Sequence, residues 1–273
     1  MVGGLFLVGR PVALDMWEAK QAQDSISEIE STYDSMGDVA VQTLWDEAVI
    51  YNDRLLAHES VDDLNPYAML LSFPRPDMIA HLVIPKLSLD LPIYHGTDEN
   101  TLMVGVGHLE GTQLPVGTAG GRCVLAGHSG MPNARMFDDI HLLEEGDRFV
   151  VWTLGRPLAY EVIESKVVLP EDSDEILPPE DDSDLVTLVT CTPYGVNTHR
   201  LLVTGKRCEY VEHEEEMPAP EAYVNRRTIP LIAGCVIIVV TSVAGIVGGV
   251  VRRRRNRGGS SEQAGGSVAN RDA

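Results

Sequence analysis

The sequence has little positive charge over most of its length. Its 273 residues carry a formal net charge of −20. After residue 228 there are six arginines and only two acidic residues, so the first 228 residues carry a net charge of −24. A chain segment this acidic repels phosphate backbones, which argues against nucleic acid as a partner.

Cysteine is also scarce. The four cysteines are Cys123, Cys191, Cys208 and Cys235, which is not the pattern of a disulfide framework. Cys235 lies in a long apolar run, and the other three are an odd number. At least one of them is therefore free or paired between chains. The spacing leaves a Cys123–Cys208 bridge open.

The sequence has one long hydrophobic run. Residues 229–251 are 23 consecutive uncharged positions, and an arginine-rich block follows directly. A helix of this length spans about 30 Å of hydrocarbon. Flanking arginines favour the cytoplasmic side of a membrane. The pattern predicts a transmembrane helix at 229–251, a basic cytoplasmic tail at 252–273 and a main body outside the cell.

The N-terminal part divides by composition. The apolar start is broken by Arg10, so residues 1–23 are interpreted as a partial signal-anchor segment that leads into a helix. This exported body needs a signal, and we hypothesise that the natural start lies further upstream. Apolar residues at helical spacing predict helices over 24–58, with a break at Gly37. Residues 59–78 are rich in Asp, Asn and Pro and predict a loop.

The central part, residues 79–208, consists of short β-branched runs separated by turn residues. Many short strands with short connections predict a closed barrel or a sandwich. Within it, residues 170–184 hold eight acids and three prolines. A solvated loop is favoured there over a cation-binding loop. The acidic segment 209–228 is interpreted as a stalk leading to the membrane.

The most informative residue is Cys191, which ends a strongly β-forming run. A turn signal follows, and Arg200 then opens a second apolar run. Two strands joined by a short loop would bring this thiol close to the arginine. A nearby cation favours the reactive thiolate, whereas a lone cysteine in a strand is most often part of the core.

His128 marks a second motif, because it ends a strand at the glycine-rich turn 127–130. The adjacent Ser129 partly resembles the nucleophile elbow of serine hydrolases. That motif requires glycine where Met131 stands, so Ser129 is rejected as a nucleophile.

Taken together, Cys191, His128 and Arg200 resemble the sortases, cysteine transpeptidases of the Gram-positive cell surface. The resemblance rests on the run 187–195, on the Gly127-His128 strand end, and on matching segments at 84–94 and 137–147. It implies a mainly β fold, in which a sortase-type eight-stranded β-barrel follows N-terminal helices and precedes the C-terminal transmembrane helix. It also implies that no metal or organic cofactor is needed.

Several details resemble the class C, pilin-polymerising branch. These are the N-terminal helices, the anchor after the barrel and the run 191–200. Class C sortases carry a lid with an Asp-Pro-aromatic tip, in which the acid lies near the arginine and the ring lies over the cysteine. The matching residues are Asn65, Pro66 and Tyr67, and the asparagine removes the ion pair with the arginine. A plain turn is the alternative interpretation.

The resemblance implies roles for the three residues. Cys191 is the nucleophile, His128 the general acid and base, and Arg200 the donor to the oxyanion. The expected partners are pilin or surface-protein substrates with LPxTG-type sorting signals, and the lipid bilayer around the C-terminal helix. The sequence leaves the oligomeric state open.

The alternative functions are a sortase that anchors proteins to peptidoglycan and a non-catalytic scaffold on a sortase barrel. A papain-like hydrolase is disfavoured, because its cysteine opens a helix near the mature N-terminus.

Overall fold

The computed structural model describes residues 20, 22–33, 35–72, 78–131, 135–172, 176, 178–179, 181–211, 234 and 241. The signal-anchor, stalk, span and tail predicted from the sequence lie almost wholly outside this set. Among the described residues, no helix is long and apolar enough to cross a membrane.

Eight β-strands form the body of the described chain. Their bounds are β1 Met78–Ile84, β2 Leu89–His95, β3 Val106–His108, β4 Arg122–Ala126, β5 Arg148–Thr153, β6 Arg156–Val168, β7 Leu185–Thr192 and β8 His199–Arg207. They close into a barrel in the order β1-β2-β3-β4-β7-β8-β6-β5. The closed barrel predicted from the short β-branched runs is therefore confirmed, and the sandwich alternative is wrong.

Alternation along the strands separates two apolar clusters. Leu82 and Ile84 of β1 belong to the large cluster inside the barrel. Val83, between them, packs with Val150 and Ala159 in a small second cluster. Successive strand residues point to opposite faces, so this second cluster covers the outer face. Every residue of β1 is buried.

The N-terminal helices lie on either side of Gly37, as the sequence predicts. Helix α1 includes residues 20, 22–33 and 35–36, and α2 is Asp38–Leu56. Gly37 has φ 79°, a value that favours glycine. Fully buried Asn52 fixes α2 to the barrel, since its amide nitrogen donates to the Leu114 carbonyl (2.9 Å) and its amide oxygen accepts from the Leu114 N–H (2.7 Å).

Some elements were not predicted. Strand β3 has only three residues, and a short helix α3, Glu99–Val104, precedes it. Strand β6 starts at Arg156, four residues earlier than its β-branched run suggests. Cys123 is buried in β4 as a free thiol, so the Cys123–Cys208 bridge that the spacing leaves open does not form.

Candidate active site at the ends of β4, β7 and β8

Cys191 and Arg200 face each other across the β7–β8 hairpin. They are direct partners in the antiparallel register, and the exposed loop 193–198 connects the two strands. Directly paired residues place their side chains on the same face of the sheet, about 5 Å apart at Cβ. The structure therefore brings together the two residues that the hairpin pattern predicts to be close. Both side chains are half-buried.

His128 approaches Cys191 from the other side of β7. Strands β4 and β7 are parallel, and their last register pair is Ala126 with Val189. Two residues further along each chain are His128 and Cys191. The half-buried histidine therefore follows the end of β4, at the same edge of the barrel as the cysteine. The strand that carries Cys191 has the strand of Arg200 on one side and the strand that leads to His128 on the other.

The chain around His128 is held from several directions. The Phe137 N–H donates to the His128 carbonyl (3.0 Å), and the Gly130 N–H donates to Asp138 Oδ1 (2.6 Å). Gly127 lies against the buried Phe137 ring. A Cβ atom at Gly127 would be 2.6 Å from Phe137 Cδ2, so the site requires glycine. These contacts fix the path of the loop that carries the histidine.

Arg200 is attached to its own loop through one nitrogen. Nη1 donates to the carbonyl oxygens of His199 (3.1 Å) and Asn197 (3.4 Å). Within the described part of the chain, Nε and Nη2 make no hydrogen bond. A guanidinium group has five N–H donors in a fixed plane. The remaining N–H groups can donate hydrogen bonds to an oxygen atom on which negative charge develops.

Ser129, rejected above as a nucleophile, has a different contact. Its hydroxyl donates to the backbone carbonyl of Cys191 at 2.6 Å. No local sequence pattern indicates this contact, because it depends on the register between β4 and β7.

Tyr67, the predicted tip of the lid, lies against the ends of β2 and β3. Its hydroxyl is 2.8 Å from His108 Nδ1 and accepts from the Gly96 N–H at 3.1 Å. Its ring meets His95 edge-on, with the ring centroids 4.7 Å apart. Within the described part of the chain, no hydrogen bond or ring contact of Tyr67 involves Cys191. Asn65 and Pro66 are exposed. The lid role of these three residues stays a prediction.

His108 is a fully buried histidine beside this tyrosine. Burial lowers the pKa of His108 to about 4, so its ring is neutral near pH 7. Its Nε2 lies 2.8 Å from the Gln113 carbonyl, which can only accept. Nε2 therefore carries the hydrogen. Nδ1 is an acceptor for the Tyr67 hydroxyl, which also lies 3.1 Å from the His108 carbonyl oxygen.

A cavity lies at the other end of the barrel. It measures about 510 Å³, and its wall includes Trp45, Asp184 and Arg207. Asp184 immediately precedes β7, whereas Cys191 is close to the end of that strand. Seven residues at roughly 3.3 Å each separate the two along the strand. Burial raises the pKa of Asp184 to about 6, although the Arg207 charge opposes this shift.

The described residues contain no group of three or more His, Cys, Asp or Glu side chains placed to hold a metal ion.

The known proteins that this chain resembles all belong to one family. The model of the Sortase domain matches residues 82–208. Sortase D of Bacillus subtilis is 33% identical over 129 residues, which cover 46% of this chain and 62% of that protein. The match therefore spans less than two thirds of this relative.

Two solved structures cover more of the chain. The first is Clostridium perfringens sortase C with the C-terminal cell wall sorting motif. It is 39% identical, with a TM-score of 0.63, and the match covers 69% of this chain and 100% of that one. The second is Streptococcus pneumoniae sortase C, whose description refers to catalysis and pilin substrate specificity. It is 34% identical, with a TM-score of 0.62, and the match covers 68% of this chain and 97% of that one.

Proposed function

Because this chain belongs to the sortase family, we propose that it is a cysteine transpeptidase that cleaves LPxTG-type sorting signals between Thr and Gly. The observation that carries this proposal is the position of Cys191. The cysteine is paired with Arg200 on β8, and β4, the strand that leads to His128, pairs with β7 on its other side. These are the nucleophile, the oxyanion donor and the acid-base group that acyl transfer requires.

The first half-reaction forms a thioester. Cys191 Sγ attacks the threonine carbonyl as a thiolate, and the carbonyl oxygen becomes an oxyanion. The donors of Arg200 that its loop does not use stabilise this charge; loss of one such donor typically raises the barrier by about 3–4 kcal/mol. The intermediate then collapses, the C–N bond breaks, and protonated His128 gives its proton to the departing glycine amine.

The second half-reaction transfers the acyl group to a new amine. Neutral His128 removes a proton from the incoming amine as that amine attacks the thioester carbonyl. The C–S bond breaks, and Cys191 leaves as a thiolate. One amide bond is exchanged for another through the thioester, so no ATP is consumed. An imidazole suits both steps because its ordinary pKa is near neutrality.

We propose that the acceptor is a lysine of the next pilin subunit, so that the product is an isopeptide-linked fibre. The two sortase C structures support this choice, since one was solved with a sorting motif and the other is described in terms of pilin substrates. The membrane span at 229–251 and the basic tail after it would hold the barrel at the outer face of the cell membrane. Wall anchoring, with a peptidoglycan amine as acceptor, is the alternative for the same three residues.

The test combines a reaction in vitro with one in the producing bacterium. The detergent-solubilised full-length chain is incubated with an LPxTG peptide, with and without an amine acceptor. We expect cleavage at Thr–Gly and a product joined to the acceptor. Cys191→Ala should abolish both, whereas Cys208→Ala, which changes a cysteine beside the outer cluster, should keep them. Equal activity of wild type and Cys191→Ala would refute the enzymatic proposal and leave the scaffold alternative.

An immunoblot of surface extracts separates the two acceptors. A strain that lacks the gene is complemented with wild type or with Cys191→Ala. A pilin ladder restored only by wild type supports polymerisation. If the ladder persists in the deletion strain, the assignment moves to wall anchoring.

A further inference from the structure

The backbone ladder between β4 and β7 ends just before the candidate catalytic residues. The two strands pair in parallel from Arg122 with Leu185 to Ala126 with Val189. The Gly127 N–H adds one more bond, to the Val189 carbonyl at 3.0 Å. In a parallel ladder the next donor from this strand lies two residues on. That donor would be the Ser129 N–H, and its acceptor would be the Cys191 carbonyl.

A side chain takes the place of that amide. The Ser129 hydroxyl donates to the Cys191 carbonyl at 2.6 Å. Carbonyl groups along a strand alternate between its two neighbours, so the Cys191 carbonyl points towards β4, as the Val189 carbonyl does. The serine therefore lets the main chain leave the sheet after Ala126 and still holds it against β7.

A second hydroxyl works in the opposite direction. Thr190 Oγ1 donates to the Gly127 carbonyl at 2.7 Å. One of these two bonds ends on the residue before His128 and the other begins on the residue after it. The histidine is thus held on both sides to the strand that carries Cys191. The short bond of the Ser129 hydroxyl resists sliding of the loop along β7.

We propose that Ser129 is a positioning residue for the candidate catalytic pair. Its hydroxyl holds the His128 loop at the distance and register at which the imidazole reaches Cys191. Ser129 takes no part in bond making, because its hydrogen is committed to the Cys191 carbonyl. This role rests on the proposed function, in which the histidine exchanges protons with the leaving and incoming amines.

The proposal predicts a specific kinetic change. A displacement of about 1 Å at a reacting group lowers rates by roughly 10- to 100-fold. Ser129→Ala should therefore lower kcat for cleavage of the LPxTG peptide about 10-fold or more, with KM within about 2-fold. Ser129→Thr keeps a hydroxyl at the same carbon and should retain most of the activity. Ser60→Ala serves as the matched control, because it also removes a hydrogen-bonded hydroxyl, but in the loop after α2.

A second measurement needs no peptide substrate. The rate of Cys191 alkylation by iodoacetamide is measured against pH for each variant of the full-length chain, with Cys208→Ala as background. A nearby imidazolium favours the thiolate. If Ser129→Ala displaces the histidine, the midpoint of this profile should rise by about half a pH unit or more. The Ser129→Thr and Ser60→Ala profiles should match the parent.

The outcomes separate this proposal from the proposed function. If the parent chain cleaves the peptide and Ser129→Ala matches it in kcat and in the alkylation profile, the positioning role is refuted. A lower melting temperature with an unchanged profile below that temperature would show a structural role only, and would also refute it. If the parent chain does not act on the peptide, the proposed function fails, and the alkylation profile still decides whether Ser129 holds the histidine.

Discussion

Removing the Tyr67 hydroxyl tests where the residues before the barrel are anchored. In the structure this hydroxyl accepts from the Gly96 N–H, and its own hydrogen has two acceptors, His108 Nδ1 at 2.8 Å and the His108 carbonyl oxygen at 3.1 Å. Tyr67→Phe deletes one oxygen atom and leaves the ring in contact with His95 and His108. It also leaves Nδ1 of a fully buried imidazole without its donor.

The expected cost follows from these contacts. A buried polar group that loses its partner costs about 1–3 kcal/mol. Gly96 is only half-buried, so its N–H can turn to water and adds little. We therefore expect Tyr67→Phe to lower the free energy of unfolding by about 2 kcal/mol. The assay is urea unfolding of the full-length chain in detergent at pH 7.5, where His108 is neutral in both variants.

The matched control is Tyr51→Phe. The Tyr51 ring lies 6.3 Å from that of Tyr67, and within the described residues its hydroxyl makes no hydrogen bond. We expect its effect to stay below about 0.5 kcal/mol. A loss of less than about 0.5 kcal/mol for Tyr67→Phe would refute the anchoring role. Alkylation of Cys191 then tests the lid directly. A lid over the cysteine predicts a faster reaction in Tyr67→Ala than in wild type, whereas an anchor on β2 and β3 predicts an unchanged rate.

Two further predictions concern stability. Burial raises the pKa of Asp184 above its unfolded value, so the folded state binds a proton more tightly than the unfolded state does. The free energy of unfolding therefore falls as pH rises from about 4 through about 6 and the carboxyl group ionises. Asp184→Asn keeps an acceptor for the Tyr160 hydroxyl. It should raise the free energy of unfolding by at most about 3 kcal/mol at pH 8 and leave it unchanged near pH 4. Urea unfolding at both pH values is the measurement, and an equal gain at the two would contradict this prediction. Gly127→Ala places a methyl group 2.6 Å from Phe137 Cδ2. It should lower the free energy of unfolding by about 1–3 kcal/mol and should also lower the rate of peptide cleavage. Unchanged values of both quantities would show that the loop relaxes freely.

Local patterns were sufficient to predict the β7–β8 half of the site. Cys191 ends one β-branched run, Arg200 opens the next, and the turn residues between them are too few to place them far apart. The register then makes the two residues direct partners. Apart from β3, the strands of the barrel were predictable for the same reason, because β-branched runs and turn residues alternate over 79–208.

Other features could not be predicted because they depend on distant parts of the chain. Strand β3 contains only Val106–His108, and its pairing is set by β2 and β4 on either side. A Cβ atom at Gly107 would lie 2.3 Å from the Gly96 carbonyl, which shows how closely β3 fits its neighbours. The Ser129 contact and the Tyr67 contact likewise appear only once strands remote in sequence are placed side by side.

The two halves of the candidate site therefore depend on different parts of the fold. Arg200 reaches Cys191 through a hairpin whose loop is short, so local structure holds this pair. His128 lies 63 positions before Cys191 and reaches it only through the parallel pairing of β4 with β7. Parallel pairing requires a crossover and is stabilised by the whole closed barrel. A perturbation that loosens the barrel should separate the histidine from the cysteine before it separates the arginine. The bonds made by Ser129 and Thr190 lie where that first separation would begin, at the end of β4.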